Sequence, residues 1–221
     1  MVPLVSLSCP VQKFLCRRRR KDARPAEIAA AALAEFAEKG FNASRIDDIA
    51  ARAGVSKGTV YLYFDSKEAL FKSAVETSMT PALEAVEALV ADRERAAAEL
   101  LQGFVIGWWR MVGATPLAVV PKLMMSESGN FPELARWFYE HMVLRVHRAV
   151  AGIIELGIRR GEFRDMEAMT AARVVMAPLF ALIVWRRALA DVVTDMPDPE
   201  VFLATAVDTF VHGFTSPRPI E

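Results

Sequence analysis

Residues 46–63 read Ile46-Asp47-Asp48-Ile49-Ala50-Ala51-Arg52-Ala53-Gly54-Val55-Ser56-Lys57-Gly58-Thr59-Val60-Tyr61-Leu62-Tyr63, and the spacing of small, apolar and glycine positions here decides the fold. Two helices that cross steeply over a tight turn need apolar residues on their facing sides. They also need a small residue at the closest contact and a left-handed backbone in the turn. Ile49 supplies the inward apolar group, Ala50 the small contact, Ala53 the next inward position, Gly54 the turn and Val55 the plug beneath it. Val60 and Tyr63 give the second helix its buried side. The pattern is that of a helix-turn-helix; spacing alone also admits an amphipathic helical hairpin with no role on DNA.

Outward from that stretch, residues 40–70 (GFNASRIDDIAARAGVSKGTVYLYFDSKEAL) resemble the DNA-binding signature of the tetracycline-repressor (TetR) family almost residue for residue. The resemblance extends over about residues 25–77. What it implies can be placed on individual positions. Ser44 stands where the family usually has a Thr that caps the second helix beside a phosphate. Arg45 departs from a position that is often Thr, and has the reach for either a guanine or a phosphate. Ser56 is implied to cap the recognition helix, which puts Lys57, Gly58 and Thr59 at the tip that enters the major groove. Gly58 lets the backbone approach DNA closely, and Thr59 offers a hydroxyl or a methyl to a base. Tyr61 is suited to a phosphate, Tyr63 to either the core or a phosphate, and Lys67, capped from Ser66, is the remaining implied phosphate contact. Phosphate contacts would hold the register while the tip reads bases.

Toward the N-terminus, residues 1–23 lack helical periodicity and end in Arg17-Arg18-Arg19-Arg20-Lys21. They are expected to form a mobile basic arm, either lying along an adjacent minor groove or solvated. Cys9 and Cys16, the only cysteines, lie in this tail, for which a reducing, cytoplasmic setting is the simplest account. The fold is expected to start near Pro25, with Ile28, Ala32, Leu33 and Phe36 repeating at helical spacing until Lys39-Gly40 closes the first helix. Three short helices are expected between residues 44 and 77, broken at Gly54 and Phe64-Asp65.

Longer amphipathic runs follow at roughly 81–90, 95–112, 117–126, 132–160, 166–190 and 199–214. They are punctuated by Thr115-Pro116, Ser128-Gly129-Asn130, Gly161 and Met196-Pro197-Asp198-Pro199. With no strand alternation of useful length, the chain is expected to be all-α with about nine helices. The domains would be a basic arm (1–23), a three-helix DNA-binding domain (24–77) and a larger helical ligand-binding and dimerisation domain (78–221).

Charge follows the same division. The net charge is zero, yet residues 1–77 carry 13 Lys and Arg against 9 Asp and Glu, and residues 78–221 carry 14 against 18. A front half that attracts phosphates and a back half that does not suit a nucleic-acid reader with a separate second domain. The longest apolar run, 174–185, is bracketed by Arg173 and Arg186-Arg187 and is too short to cross a bilayer.

In the second domain the resemblance supports a pocket, and an aromatic and methionine stripe supplies its candidate lining: Phe104, Trp108, Met111, Met124, Met125, Phe138, Met142, Met176 and Phe180. Such a lining suits a hydrophobic or aromatic small molecule, although stripes of this kind also build plain cores. Glu127, His141 and His147 are the polar groups that could orient it. His141 and His147 lie six apart, off metal-ligand spacing, so no metal is expected. A seam of Leu203, Val207, Phe210 and Phe214, with Leu179, Leu182, Trp185 and Leu189 on the preceding helix, is expected to form a dimer interface.

No phosphate-binding glycine loop, nucleophile elbow, His-Glu metal motif or triad is present, so neither an enzyme nor a cofactor is expected. The expected function is a ligand-responsive repressor that binds a near-palindromic operator as a homodimer. The rival is an interaction module that keeps the fold without binding DNA.

Overall fold

The computed structural model describes residues 10–92, 94–190 and 192–215, with side chains from residue 24 onward. Cys9 lies outside the described residues, and the side chains of Cys16 and of the basic run lie outside them too. The helices are α1 (Pro10–Lys39), α2 (Ile46–Arg52), α3 (Lys57–Tyr63), α4 (Lys67–Ala91), α5 (Ala97–Trp108), α6 (Val119–Glu127), α7 (Pro132–Phe138), α8 (Leu144–Arg159), α9 (Ala168–Ala188) and α10 (Pro199–Phe214). A π-helical turn, Trp109–Gly113, extends α5, and a second, Tyr139–Val143, joins α7 to α8 as one rod. Counted as rods, the described residues hold nine helices and no strand; one isolated bridge pairs Phe163 with Thr215. The all-α architecture with an N-terminal helix-turn-helix is as expected. The chain divides into two compact units, residues 1–77 and 78–221.

Two boundaries differ from expectation for the same reason. α1 begins at Pro10, so residues 10–23 are helical rather than an arm without periodicity, and Pro25 lies inside the helix instead of starting it. α4 is not a short helix ending near residue 77 but a 25-residue one with Pro81 inside it. An interior proline removes one backbone hydrogen bond and crowds the carbonyl four residues earlier. Buried side chains hold these helices near that fault: Ile28, Ala29, Ala32, Leu33 and Phe36 after Pro25, and Met79, Ala82, Leu83 and Val86 on both sides of Pro81.

The first unit is organised by an aromatic trio. Phe36, Phe41 and Phe71 are fully buried, with ring centroids 5.2, 5.5 and 5.4 Å apart in tilted and edge-on arrangements, the geometry that aromatic quadrupoles favour. They bring α1, the α1–α2 turn and α4 together. Ile49, Ala50 and Val60 fill the angle between α2 and α3. Charges lace α2 to α1: Arg52 forks onto Glu38 and reaches Glu35 at 3.2 Å, and Lys39 bridges Glu35 (2.6 Å) and Asp48 (3.0 Å).

In the second unit α8 is the central rod, packed against α5 and α9, while α10 closes over α5 and α9. Val150, Ile153 and Ile154 of α8 meet Leu100, Leu101 and Phe104 of α5 and Val175, Leu179 and Leu182 of α9 in one core. Gly157 is needed for packing: a Cβ there would lie 2.3 Å from the Phe163 ring, which also stacks edge-on against Phe214 at 5.8 Å. α9 is longer than the apolar run read from sequence. Its 21 residues, of mean hydropathy 1.8, have the length and composition of a membrane span, yet they pack against α6, α8 and α10.

Candidate DNA interface and effector cavity

Gly54 has φ +65°, and a Cβ added there would meet nothing within 4 Å. The turn therefore requires glycine for its left-handed backbone rather than for space, a conformation costing other residues about 1–2 kcal/mol. The Val55 amide donates to the Ala50 carbonyl at 2.9 Å, which locks the turn. Ala53, Val55 and Tyr63 are half-buried beneath it.

Beyond the turn, Ser56 caps α3 as expected, its hydroxyl oxygen accepting from the Thr59 amide at 3.2 Å and sharing a 2.9 Å hydrogen bond with the Thr59 hydroxyl. Lys57 and Gly58 are exposed at the first turn and Thr59 is half-exposed. Tyr61 is 48% and Leu62 72% exposed, so the solvent face of α3 carries two large side chains, of which sequence reasoning missed Leu62. Asp47 was missed as well. Its carboxylate holds the Lys57 ammonium at 2.8 Å and raises the lysine pKa by that hydrogen bond. Arg45 is exposed at the N-cap of α2, its side chain making no capping bond.

Two residues implied as phosphate contacts have partners within the fold. Ser44 does not cap α2: it is 3% exposed, and its hydroxyl donates to the carbonyls of Gly40 (2.6 Å) and Glu35 (3.3 Å). Buried there, it fixes the α1–α2 turn. Lys67 presents no spare donor. Its ammonium donates to the carbonyls of Phe41 (2.8 Å), Asn42 (3.2 Å) and Ser44 (3.1 Å) and sits 4.7 Å from the centre of the Phe41 ring. An ammonium has three donors, so Lys67 staples α4 to the α1–α2 turn.

The second unit contains a cavity of about 260 Å³ lined by Met79 of α4, Trp108, Pro121, residues of the π turn and α8, and Arg173, Met176, Ala177, Phe180 and Ile183 of α9. Of the nine expected lining residues, Trp108, Phe138, Met142, Met176 and Phe180 meet there. Phe104 is buried behind Trp108, stacked on it at 6.1 Å. Met124 is core, Met125 is 57% exposed, and Met111 is half-buried outside the lining. Periodicity locates an apolar stripe but not which of its members face a gap. Among the polar candidates, His147 lines the cavity; Glu127 is buried elsewhere, within 3.2 Å of the Asn130 amide, and His141 is exposed. Arg173, read from sequence only as the charge flanking an apolar run, is the lining residue with a permanent charge.

Burial pushes the His147 imidazole below its ordinary range, partly opposed by its bond to the Val143 carbonyl and reinforced by the Arg173 charge. The unfolded chain, with an ordinary value of about 6.5, therefore takes up a proton first on acidification. The stability contributed by neutral His147 is present above about pH 6.5 and lost as pH falls toward the folded-state value. Thermal melts from pH 7.5 to 5.5 should show a steeper fall for wild type than for His147→Gln, and parallel curves would remove His147 from the account. Glu38, Glu87 and Glu167 are all lowered from ordinary carboxylate values, so they titrate in a more acidic window.

The expected dimer seam is largely internal. Leu182, Leu203, Val207 and Phe214 are buried within the protomer, and Phe210 is half-exposed against Phe214. Trp185 and Leu189 are exposed, as is Val201, and Trp185 lies edge-on to Phe202 at 6.5 Å. Among the described residues no group of three His, Cys, Asp or Glu could hold a metal.

A serine-capped helix held off a glycine turn, with its first residues in solvent, is the reading head of a helix-turn-helix protein. Residues 28–74 match the family of bacterial regulatory proteins described as the tetR family, and residues 99–214 match the C-terminal domain of AefR-like transcriptional repressors. The chain belongs to the TetR family of DNA-binding transcriptional regulators. It is similar to the HTH-type transcriptional regulator YfiR of Bacillus subtilis, 41% identical over 66 residues that span 30% of this chain and only 32% of that protein. It is also similar to the transcriptional repressor KstR2 of Rhodococcus jostii, 26% identical over 90% of this chain and 94% of that protein. Among solved structures, FadR of Bacillus subtilis in complex with stearoyl-CoA superposes with a TM-score of 0.73 at 21% identity, over 86% of this chain and 98% of that one.

Proposed function

We propose that the protein is a ligand-released repressor, active in the cytoplasm, that binds a near-palindromic operator as a homodimer. The observation that carries this reading is the tip of α3, where Lys57 and Gly58 are exposed and Thr59 half-exposed behind the Ser56 cap. In this reading Gly58 and Thr59 approach base edges in the major groove. Arg45, Lys57 and Tyr61 meet phosphates, with Tyr63 in support. Asp47 gives up its hold on Lys57 when a phosphate replaces it. Ser44 and Lys67 act from below, by holding the turn on which the head is mounted.

Two heads about 34–36 Å apart would read successive major grooves, which requires a two-fold pair. The exposed apolar side chains of α9 and α10, Trp185, Leu189 and Val201, support pairing through those helices in place of the buried seam. The apolar cavity supports a hydrophobic effector, and the stearoyl-CoA bound to a structural relative is in keeping with it. An effector that binds the DNA-incompetent state more tightly shifts the population away from the operator. α4 is the element on which this acts, since it contributes Met79 to the cavity and begins at Lys67.

Sequencing of genomic fragments retained by the pure protein tests the proposal. It should return a small set sharing an inverted repeat, with protection spaced by one DNA turn. Retention of no fragment, or of fragments without a common motif, would be incompatible with it.

A further inference from the structure

The effector cavity is apolar except along one edge. Among its lining residues only His147 and Arg173 have ionisable side chains, one from α8 and one from α9. Trp108, Phe138, Met142 and Val146 are buried and form the floor, whereas Arg173, Ala177 and Phe180 are exposed and form the rim. The cavity thus grades from a buried apolar floor to a charged lip.

Among the described residues Arg173 takes part in no ion pair. Glu167, the acid whose charge Arg173 influences, is committed elsewhere: its carboxylate caps α9, accepting from the amides of Met169 (3.0 Å) and Thr170 (2.6 Å). Guanidinium stays charged at any physiological pH, and its planar fork matches a carboxylate in two parallel hydrogen bonds. His147, half-buried beside it and pushed toward the neutral form by burial, adds a hydrogen-bonding nitrogen without a second permanent charge. The volume, about 260 Å³, is just below the usual range of small-molecule pockets, roughly 300–1,000 Å³, and suits a body of moderate length.

We propose that the effector is a singly charged anionic amphiphile of the carboxylate class, seated with its head on Arg173 and His147 and its hydrocarbon body on the floor formed by Trp108, Phe138 and Met142. This rests on the assignment of the cavity as the effector site, and the test separates the two. Full-length protein is titrated calorimetrically with decanoate, decanol and decyltrimethylammonium, all below their aggregation limits. Decanoate should bind about tenfold or more tightly than decanol, as a charge-assisted pair requires, and the cation should bind weakest. Arg173→Gln should bring decanoate down to the level of decanol, and Arg173→Lys should retain part of the preference. Equal affinity for decanoate and decanol in the wild type, or a preference that survives in Arg173→Gln, would overturn the anionic head while leaving the cavity as effector site. Binding of none of the three would overturn the cavity assignment and the inference with it.

Discussion

Phe71→Ala should cost the DNA-binding unit about 3–5 kcal/mol, the range for emptying a packed aromatic site. The ring is fully buried and touches Phe36 and Phe41 edge-on, so the change forfeits both burial and two aromatic pairs worth roughly 0.5–1.5 kcal/mol each. Against a typical domain stability of about 5–15 kcal/mol, a loss of this size leaves the unit marginal. At about 4–8 °C per kcal/mol for a domain of this length, its melting transition should fall by more than about 10 °C in calorimetry. Phe71→Leu, which keeps most of the volume, should lose less than half as much. A loss below about 1 kcal/mol for the alanine variant would show that the trio is not the keystone described above.

The second large effect is expected at Lys67. Lys67→Met keeps the apolar stem but removes the ammonium from three carbonyls and from the face of Phe41. Hydrogen bonds to a charged donor contribute about 1.5–3 kcal/mol. Partial rehydration of the α1–α2 turn offsets some of this, so a net loss of about 2 kcal/mol is expected. Operator affinity should fall with it, because the turn positions α2 and α3. The salt dependence discriminates. A staple leaves the slope of log K against log salt unchanged, whereas a phosphate contact would lower it by about one unit. A slope reduced by one would restore Lys67 to the DNA surface.

The helix-turn-helix was legible because each of its positions answers a local demand. Gly54 must take φ near +65°, Ala50 must be small, and Ile49 and Val60 must face inward; none of these depends on a distant partner. The roles of Ser44 and Lys67 were not legible in that way. A serine before a helix and a lysine at the start of one have local uses, as cap and as phosphate ligand, which hid their bonds to Gly40 and Phe41. Helix starts at Pro25 and Pro81 were misplaced because a proline suits a first helical position locally, whereas both lie inside longer helices. The seam through Leu203 and Val207 shows a further limit: periodicity identifies an apolar face but is silent on whether the same chain or a second copy covers it. Arg173 was passed over because a charge beside an apolar run looks like punctuation until the fold sets His147 beside the same gap.

Pro81 makes α4 a jointed lever. The backbone bond it withholds would have closed onto residue 77, so the helix has least bending stiffness across the turn that holds Met79, the α4 side chain in the cavity wall. A nudge delivered to that thioether enters at the fulcrum and leaves as an angle. About a dozen residues separate Met79 from Lys67, an arm of roughly 18 Å at 1.5 Å per residue, so a tilt of about 5° sweeps the far end through roughly 1.5 Å. In the proposed switch, a shift of that size along α4, about the length of one backbone bond, is what the effector has to produce.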